Sequence, residues 1–154
     1  MIDDDEQARI ERHITRALLE YARAVDTRDY DSVAACYWPD AHDEHADFSG
    51  ARDAYVAWLR EVLPPIAVST HQFTGTLVDV ESPDVARAES WCLNTLVFRS
   101  SGAPDRHTTA HLRYLDRFER REGEWRVADR RVVTDWFRVE APASTERIRP
   151  GGGT

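Results

Sequence analysis

His71 lies in a stretch, residues 66–80, whose apolar and polar positions alternate as in a strand. Alternation puts Ala67, Ser69, His71, Phe73 and Leu77 on one face. An imidazole half buried among apolar side chains can be tuned to act as a general base or acid. The alternative is a core histidine with one satisfied hydrogen bond. Asp26 is a second candidate, at the end of a helical stretch and roughly 120° from the centre of its apolar stripe. By itself it reads as a helix-end surface acid. Tyr21 falls inside the same stripe, either as core packing or as a hydroxyl aimed at a ligand.

The stretch 124–138 carries an unusual mixture. Simple alternation places Asp129, Arg131 and Asp135 on a face with Trp125, Val127, Val133 and Phe137. An arginine on an aromatic face needs a partner, because an unpaired buried charge is costly. Arg131 therefore either pairs with Asp129 or Asp135 or points at a substrate oxygen. His107 and His111 share one face of another strand, about 13 Å apart at 3.3 Å per residue, too far to hold one metal ion. That face also carries Thr109 and Arg113, opposite Leu112, Tyr114 and Phe118. The run His42-Asp43-Glu44-His45-Ala46-Asp47 looks metal-like, but on a strand His42 and His45 point to opposite faces, and no H-E-x-x-H frame exists. It reads as a polar rim or surface strand, and no metal is expected.

Other chemistries find little support. No nucleophile elbow, phosphate-binding loop or dinucleotide glycine fingerprint is present. Cys36 and Cys92 stand in neither C-x-x-C nor zinc spacing and read as reduced, mostly buried thiols. Lys plus Arg number 20 against 28 Asp plus Glu, a formal charge of −8, so a nucleic-acid partner is not expected. No apolar run approaches the ~18 residues that span a membrane. The first residues, Met1-Ile2-Asp3-Asp4-Asp5-Glu6, are acidic where a signal peptide is basic, and the chain reads as cytoplasmic.

These residues must be positioned by helices followed by strands. Ile10, Ile14, Ala17, Leu18, Tyr21 and Val25 form one apolar face of a helix over residues 3–28. Asp3 to Glu6 crowd its start, where carboxylates suit the helix dipole. A short helix near 30–38 is stopped by Pro39, a short strand covers 41–48, and Ser49-Gly50 turns into a third helix over 51–62. Strands follow at 66–80, 85–99, 107–121 and 124–138, with turn residues between them. Helices first and strands later indicate an α+β fold. One domain over 1–140 and a flexible Pro/Gly-rich tail over 141–154 complete the expected layout.

The stretch Tyr21-Ala22-Arg23-Ala24-Val25-Asp26-Thr27-Arg28-Asp29-Tyr30-Asp31 resembles the first helix of SnoaL-like proteins of the nuclear transport factor 2-like superfamily. Phe48-Ser49-Gly50, Ser69-Thr70-His71-Gln72-Phe73 and the run from Arg113 to Val127, with Glu122-Gly123-Glu124-Trp125 at its turn, share that resemblance. It covers roughly residues 8–138. It implies a cone-shaped α+β barrel with three N-terminal helices packed on a curved, mostly antiparallel sheet. The resemblance extends to scytalone dehydratase, hexachlorocyclohexane dehydrochlorinase and bile-acid 7α-dehydratase.

Those enzymes have a His–Asp dyad inside the cone, which maps onto His71 and Asp26. A pocket Tyr five residues before the Asp matches Tyr21, and a late-strand pocket Arg matches Arg131, with Arg130 adjacent. A second pocket histidine falls nearest His111, then His107. The resemblance thus implies a cofactor-independent lyase of dehydratase type. Its partner would be a small apolar organic substrate, with Trp38, Trp58 and Phe73 supplying an apolar wall. An isomerase or polyketide-type cyclase using the same base, and a noncatalytic small-molecule-binding or assembly protein, are the alternatives. Five tryptophans and long strands suit a homo-oligomer, a dimer or trimer.

Overall fold

The computed structural model describes residues 2–140; the expected tail over 141–154 lies outside the described residues. Helix α1 (Asp4–Thr27) begins where the Asp3 side chain accepts from the Glu6 amide at 2.8 Å, with Asp4, Asp5 and Glu6 in its first turn. Ile10, Ile14, Leu18, Tyr21 and Val25 are buried on its inner face. Arg28 ends it in the left-handed conformation, φ 59°. The Arg28 guanidinium then donates to the carbonyls of Leu63, at 3.3 Å, and Ile66. These bonds fasten the end of α1, which carries Asp26, to the start of the strand that carries His71. Replacing Arg28 with alanine is expected to cost about 2 kcal/mol, the scale of hydrogen bonds to a charged group, read from the urea unfolding midpoint.

Helix α2 (Tyr30–Ala35) is shorter than expected. Tyr37 and Trp38 instead open strand β1 (Tyr37–His45). Pro39 does not break β1, because it falls where the pairing with the last strand is irregular, between Tyr37 and His42, and its missing N–H interrupts no ladder. After Ala46 and Asp47 the chain returns as β2 (Phe48–Ala51), so the expected Ser49-Gly50 turn is paired strand. Helix α3 (Arg52–Val62) leads to β3 (Ile66–Ser82), β4 (Val85–Phe98), β5 (Arg106–Arg121) and β6 (Glu124–Glu140).

The six strands form one sheet in the order β2-β1-β6-β5-β4-β3. Among the described residues only β1 and β6 run parallel, and every other pairing is antiparallel. The expected α+β layout of three helices against a curved, mostly antiparallel sheet is present, with the sheet left open at edge strands β2 and β3. The core lies between its inner face and the helices, with Tyr55 and Leu59 of α3 and Tyr114 and Phe118 of β5 buried there.

Bulges decide which side chains face that core. In β3 the pairing shifts between Phe73 and Gly75, so the inward phase changes. Val78 and Val80 pack inward, while Leu77, expected inside, is 63% exposed. In β6 the register shifts between the partners of Arg117 and Phe118, across Val127 to Asp129. Beyond that shift Arg130 turns into the core and Arg131 turns out.

Candidate active site

A cavity of about 320 Å³ lies between the helices and the inner face of the sheet. Its wall is mostly apolar, with Leu59, Leu63, Ile66, Leu96 and Leu112 among its side chains. The polar groups that reach it are few: Tyr21, His45, Tyr55, Ser69, His71, Asn94 and Thr134. Such a surface suits an organic molecule held by apolar contact and oriented by a few polar groups. Phe137 lines the cavity yet is 69% exposed, so it stands at the mouth.

His71, on this wall, meets Asp26 behind it. His71 Nδ1 lies 2.7 Å from Asp26 Oδ1. The His71 amide donates to Asp26 Oδ2 at 2.8 Å, and Ser69 Oγ donates to Asp26 Oδ1 at 2.8 Å. Three donors from two alternate residues of β3, Ser69 and His71, thus converge on one carboxylate. Burial works to raise the Asp26 carboxyl, but the His71 side chain, its charge and amide, and Ser69 together hold it below its ordinary 3.8. An ionised carboxylate only accepts, so Nδ1 carries the hydrogen and Nε2 keeps the lone pair.

The depressed Asp26 value has a consequence for stability. The carboxylate favours the folded state fully above the ordinary value, and that contribution is lost as pH falls through the lower folded value. Asp26→Asn is therefore expected to show a shallower loss of stability than the wild type below about pH 4, measured by denaturant unfolding across that range.

Tyr21 stands edge-on to His71, with ring centroids 6.4 Å apart. Its hydroxyl is 2.6 Å from the hydroxyl of Tyr55. Burial pushes Tyr21 up to about 12 and Tyr55 well above the ordinary phenol, so both keep their protons at neutral pH and can donate. Trp58 of α3 completes that side of the cavity, stacked on Tyr55 at 6.0 Å.

Of the expected site residues, Tyr21, Trp58 and His71 line the cavity, Asp26 stands behind His71, and four others lie elsewhere. Arg131 is 67% exposed on its side chain and faces Glu44 at 3.7 Å, because the β6 bulge reverses the alternation. Trp38 is buried at the start of β1, donating from Nε1 to the Glu119 carbonyl at 2.9 Å with Arg121 and Arg126 over its ring. Phe73 packs behind the wall against Tyr114, ring centroids 5.1 Å apart. His111 lies on the outer face, its Nδ1 3.3 Å from Asp135 Oδ2 and its ring stacked on Trp136.

The inward arginine is Arg130, fully buried beneath the cavity. It makes a two-pronged ion pair with Asp116, both bonds 2.7 Å, and donates to Tyr37 Oη at 3.0 Å. The rings of Tyr21, Tyr37 and Tyr114 surround it, centroids 4.2, 5.3 and 4.9 Å from Cζ. Burial opposes its charge, but Asp116 and the tyrosine oxygens outweigh this and keep Arg130 protonated.

His45, not expected in the site, enters the cavity from the end of β1. Alternation from Ala41 and Asp43 carries it inward, while His42 faces out near Asp129 at 3.9 Å. Cys36 and Cys92 are free thiols that burial raises to about 11 and about 12, so neither offers a thiolate at neutral pH. Among the described residues no three His, Cys, Asp or Glu side chains converge as a metal site would require. Nor is any described helix long and apolar enough to cross a membrane.

The sequence profile of the SnoaL-like domain matches residues 6–131. The chain belongs to the SnoaL-like family. An uncharacterised protein of Mycobacterium tuberculosis is 31% identical over 127 residues, covering 80% of this chain and 84% of that one. Among solved structures, a scytalone dehydratase candidate from Novosphingobium aromaticivorans superposes with a TM-score of 0.80 at 21% identity, over 99% of each chain. A type 2 hexachlorocyclohexane dehydrochlorinase superposes at 0.78 with 18% identity, over 97% of this chain and 99% of that one. At those identities the superpositions carry the fold. The SnoaL-like match spans Tyr21, Asp26, His45, His71 and Arg130 and ends before Thr134 and Phe137 at the cavity mouth.

Proposed function

We propose that this SnoaL-like protein is a cofactor-independent lyase of dehydratase type acting on a small apolar organic molecule. The observation that carries the reading is His71, held through Nδ1 by the Asp26 carboxylate at 2.7 Å, on the wall of a mostly apolar cavity. His71 Nε2 takes a proton from the carbon beside a carbonyl. Asp26 keeps the ring in the productive tautomer and stabilises the imidazolium that forms. Tyr21 and Tyr55 are protonated and linked, so one phenol donates to the other and the second donates its hydrogen toward the carbonyl oxygen as negative charge gathers there. The electron pair left on carbon expels the group one carbon further on, and a double bond remains. The dehydratase and dehydrochlorinase named among the superposed structures support this class of chemistry on the same fold.

Product mass tests it. A panel of hydroxylated and halogenated carbonyl compounds of cavity size is incubated with the protein, and the products are weighed by mass spectrometry. Loss of water or of hydrogen halide, absent in His71→Ala and Asp26→Asn, is the expected result. Product of unchanged mass made by the same residues would mean isomerisation or cyclisation. Bound but unaltered ligand in every case would mean a binding protein.

A further inference from the structure

We propose that His45 is the second proton-transfer group of this cavity, the general acid that protonates a departing hydroxyl, and that the substrate is therefore a β-hydroxy carbonyl compound. The proposal rests on the lyase reading above and adds the leaving group to it.

His45 lines the same cavity as His71, with 14% of its side chain exposed. Its ring stacks on Tyr55 at 5.4 Å, and Tyr55 is bonded to Tyr21, which stands against His71. The two imidazoles thus flank a tyrosine pair, one on the β3 side and one on the β1 side. A substrate carbonyl at the tyrosines would have a base on one side and an acid on the other.

The surroundings of His45 are built for a proton. Its Nδ1 lies 3.4 Å from Asp43 Oδ1, and neither atom has a hydrogen-bond partner among the described residues. Asp43 is fully buried, and its other oxygen accepts from Tyr37 Oη at 2.8 Å. Tyr37 in turn accepts from Arg130, which is locked to Asp116. Asp116 also feels the His45 charge, and the phenols of Tyr55 and Tyr114 face the ring. A buried carboxylate oxygen facing an imidazole nitrogen is satisfied when that nitrogen carries hydrogen. Asp43 thereby orients His45 and leaves Nε2 as its other proton-bearing atom.

The step balances. His71 Nε2 takes the proton from the carbon beside the carbonyl, and that electron pair becomes the new double bond. The carbon–oxygen bond one carbon away breaks, its electrons stay on oxygen, and His45, entering the step as an imidazolium with its other hydrogen on Nδ1 toward Asp43, gives up the Nε2 proton that makes water and is left as the neutral ring. The proton on His71 returns to His45 through solvent, so an unsaturated carbonyl compound and water are the only products. Hydroxide is a poor leaving group and needs this acid, whereas a carboxylate or halide does not.

The probes are the aldol of benzaldehyde and acetone and its O-acetyl ester, which share a carbon skeleton and differ in leaving group. His45→Gln is expected to slow elimination from the aldol by about 10²-fold or more, the lower range for a general acid, and to leave the ester within a few-fold of wild type. His45→Ala should lose the aldol reaction and recover part of it when free imidazole is added. His71→Gln should lose both reactions. Equal effects of His45→Gln on the two probes, no effect on the aldol, or a wild type inert toward the aldol would overturn the His45 proposal. Full activity of His71→Gln would instead overturn the dyad itself.

Discussion

The His71→Ala variant is expected to lose roughly 10²–10⁴-fold in turnover, the range that a positioned general base contributes. Its fold should survive, because His71 lies on the cavity wall and the cluster beneath it, from Ile14 to Phe118, keeps its packing. Asp26→Asn should lose less than the full amount. The amide can still meet the ring, but it favours the wrong tautomer and offers no charge to the imidazolium. The double variant should be no slower than His71→Ala alone, because the two side chains act as one unit. Single-turnover rates of the three variants check this ordering, with near-ultraviolet circular dichroism as the control for fold.

Arg130→Ala should cost about 3–5 kcal/mol of stability, the penalty for leaving a buried charge without its partner. Asp116 would lose both of its 2.7 Å bonds while remaining 3% exposed. Tyr37 would lose a donor, and three tyrosine rings would face a void. Arg130→Lys should recover only part of the loss, since an ammonium provides neither the two-pronged geometry nor the flat stacking surface. A paired replacement, Arg130→Met with Asp116→Leu, should be much milder than Arg130→Ala, because it removes both charges and refills the volume. Urea unfolding of the three variants measures the order.

Much of the fold is legible in the sequence. Asp3 to Glu6 and the stripe from Ile10 to Val25 mark α1 by cap, dipole and period. The strands β3 to β6 announce themselves by alternation and by the turns between them. What alternation does not carry is a bulge. One extra residue reverses the side chains from there to the next irregularity, which is why Leu77 and Arg131 point out while Arg130 points in.

The site was legible in part. Periodicity alone set Asp26 about 120° off its stripe. Its meeting with His71 depends on α1 running past the core and being tied by Arg28 to the start of β3, a tertiary fact. The likeness to SnoaL-like proteins supplied that pair, and the same likeness misled at His111. There the plain strand pattern, which set His111 opposite Leu112, Tyr114 and Phe118, matches the outer face seen in the structure. His45 is hidden by composition: Ala41, Asp43 and His45 share one face of the strand under either boundary, but a run of charged residues reads as a polar rim, and only the packing of Tyr55, Trp58 and Tyr114 against the ring makes that face an inward one.

Deuterium uptake tests the central claim most directly, because it reports proton removal without requiring any leaving group. Benzylacetone, a ketone with nothing to expel, is held with the protein in heavy water, and uptake at the methylene beside its carbonyl is followed by NMR. The account predicts catalysed exchange by the wild type and by His45→Gln, and its loss in His71→Gln. Exchange undiminished in His71→Gln would contradict the assignment of His71 as the base.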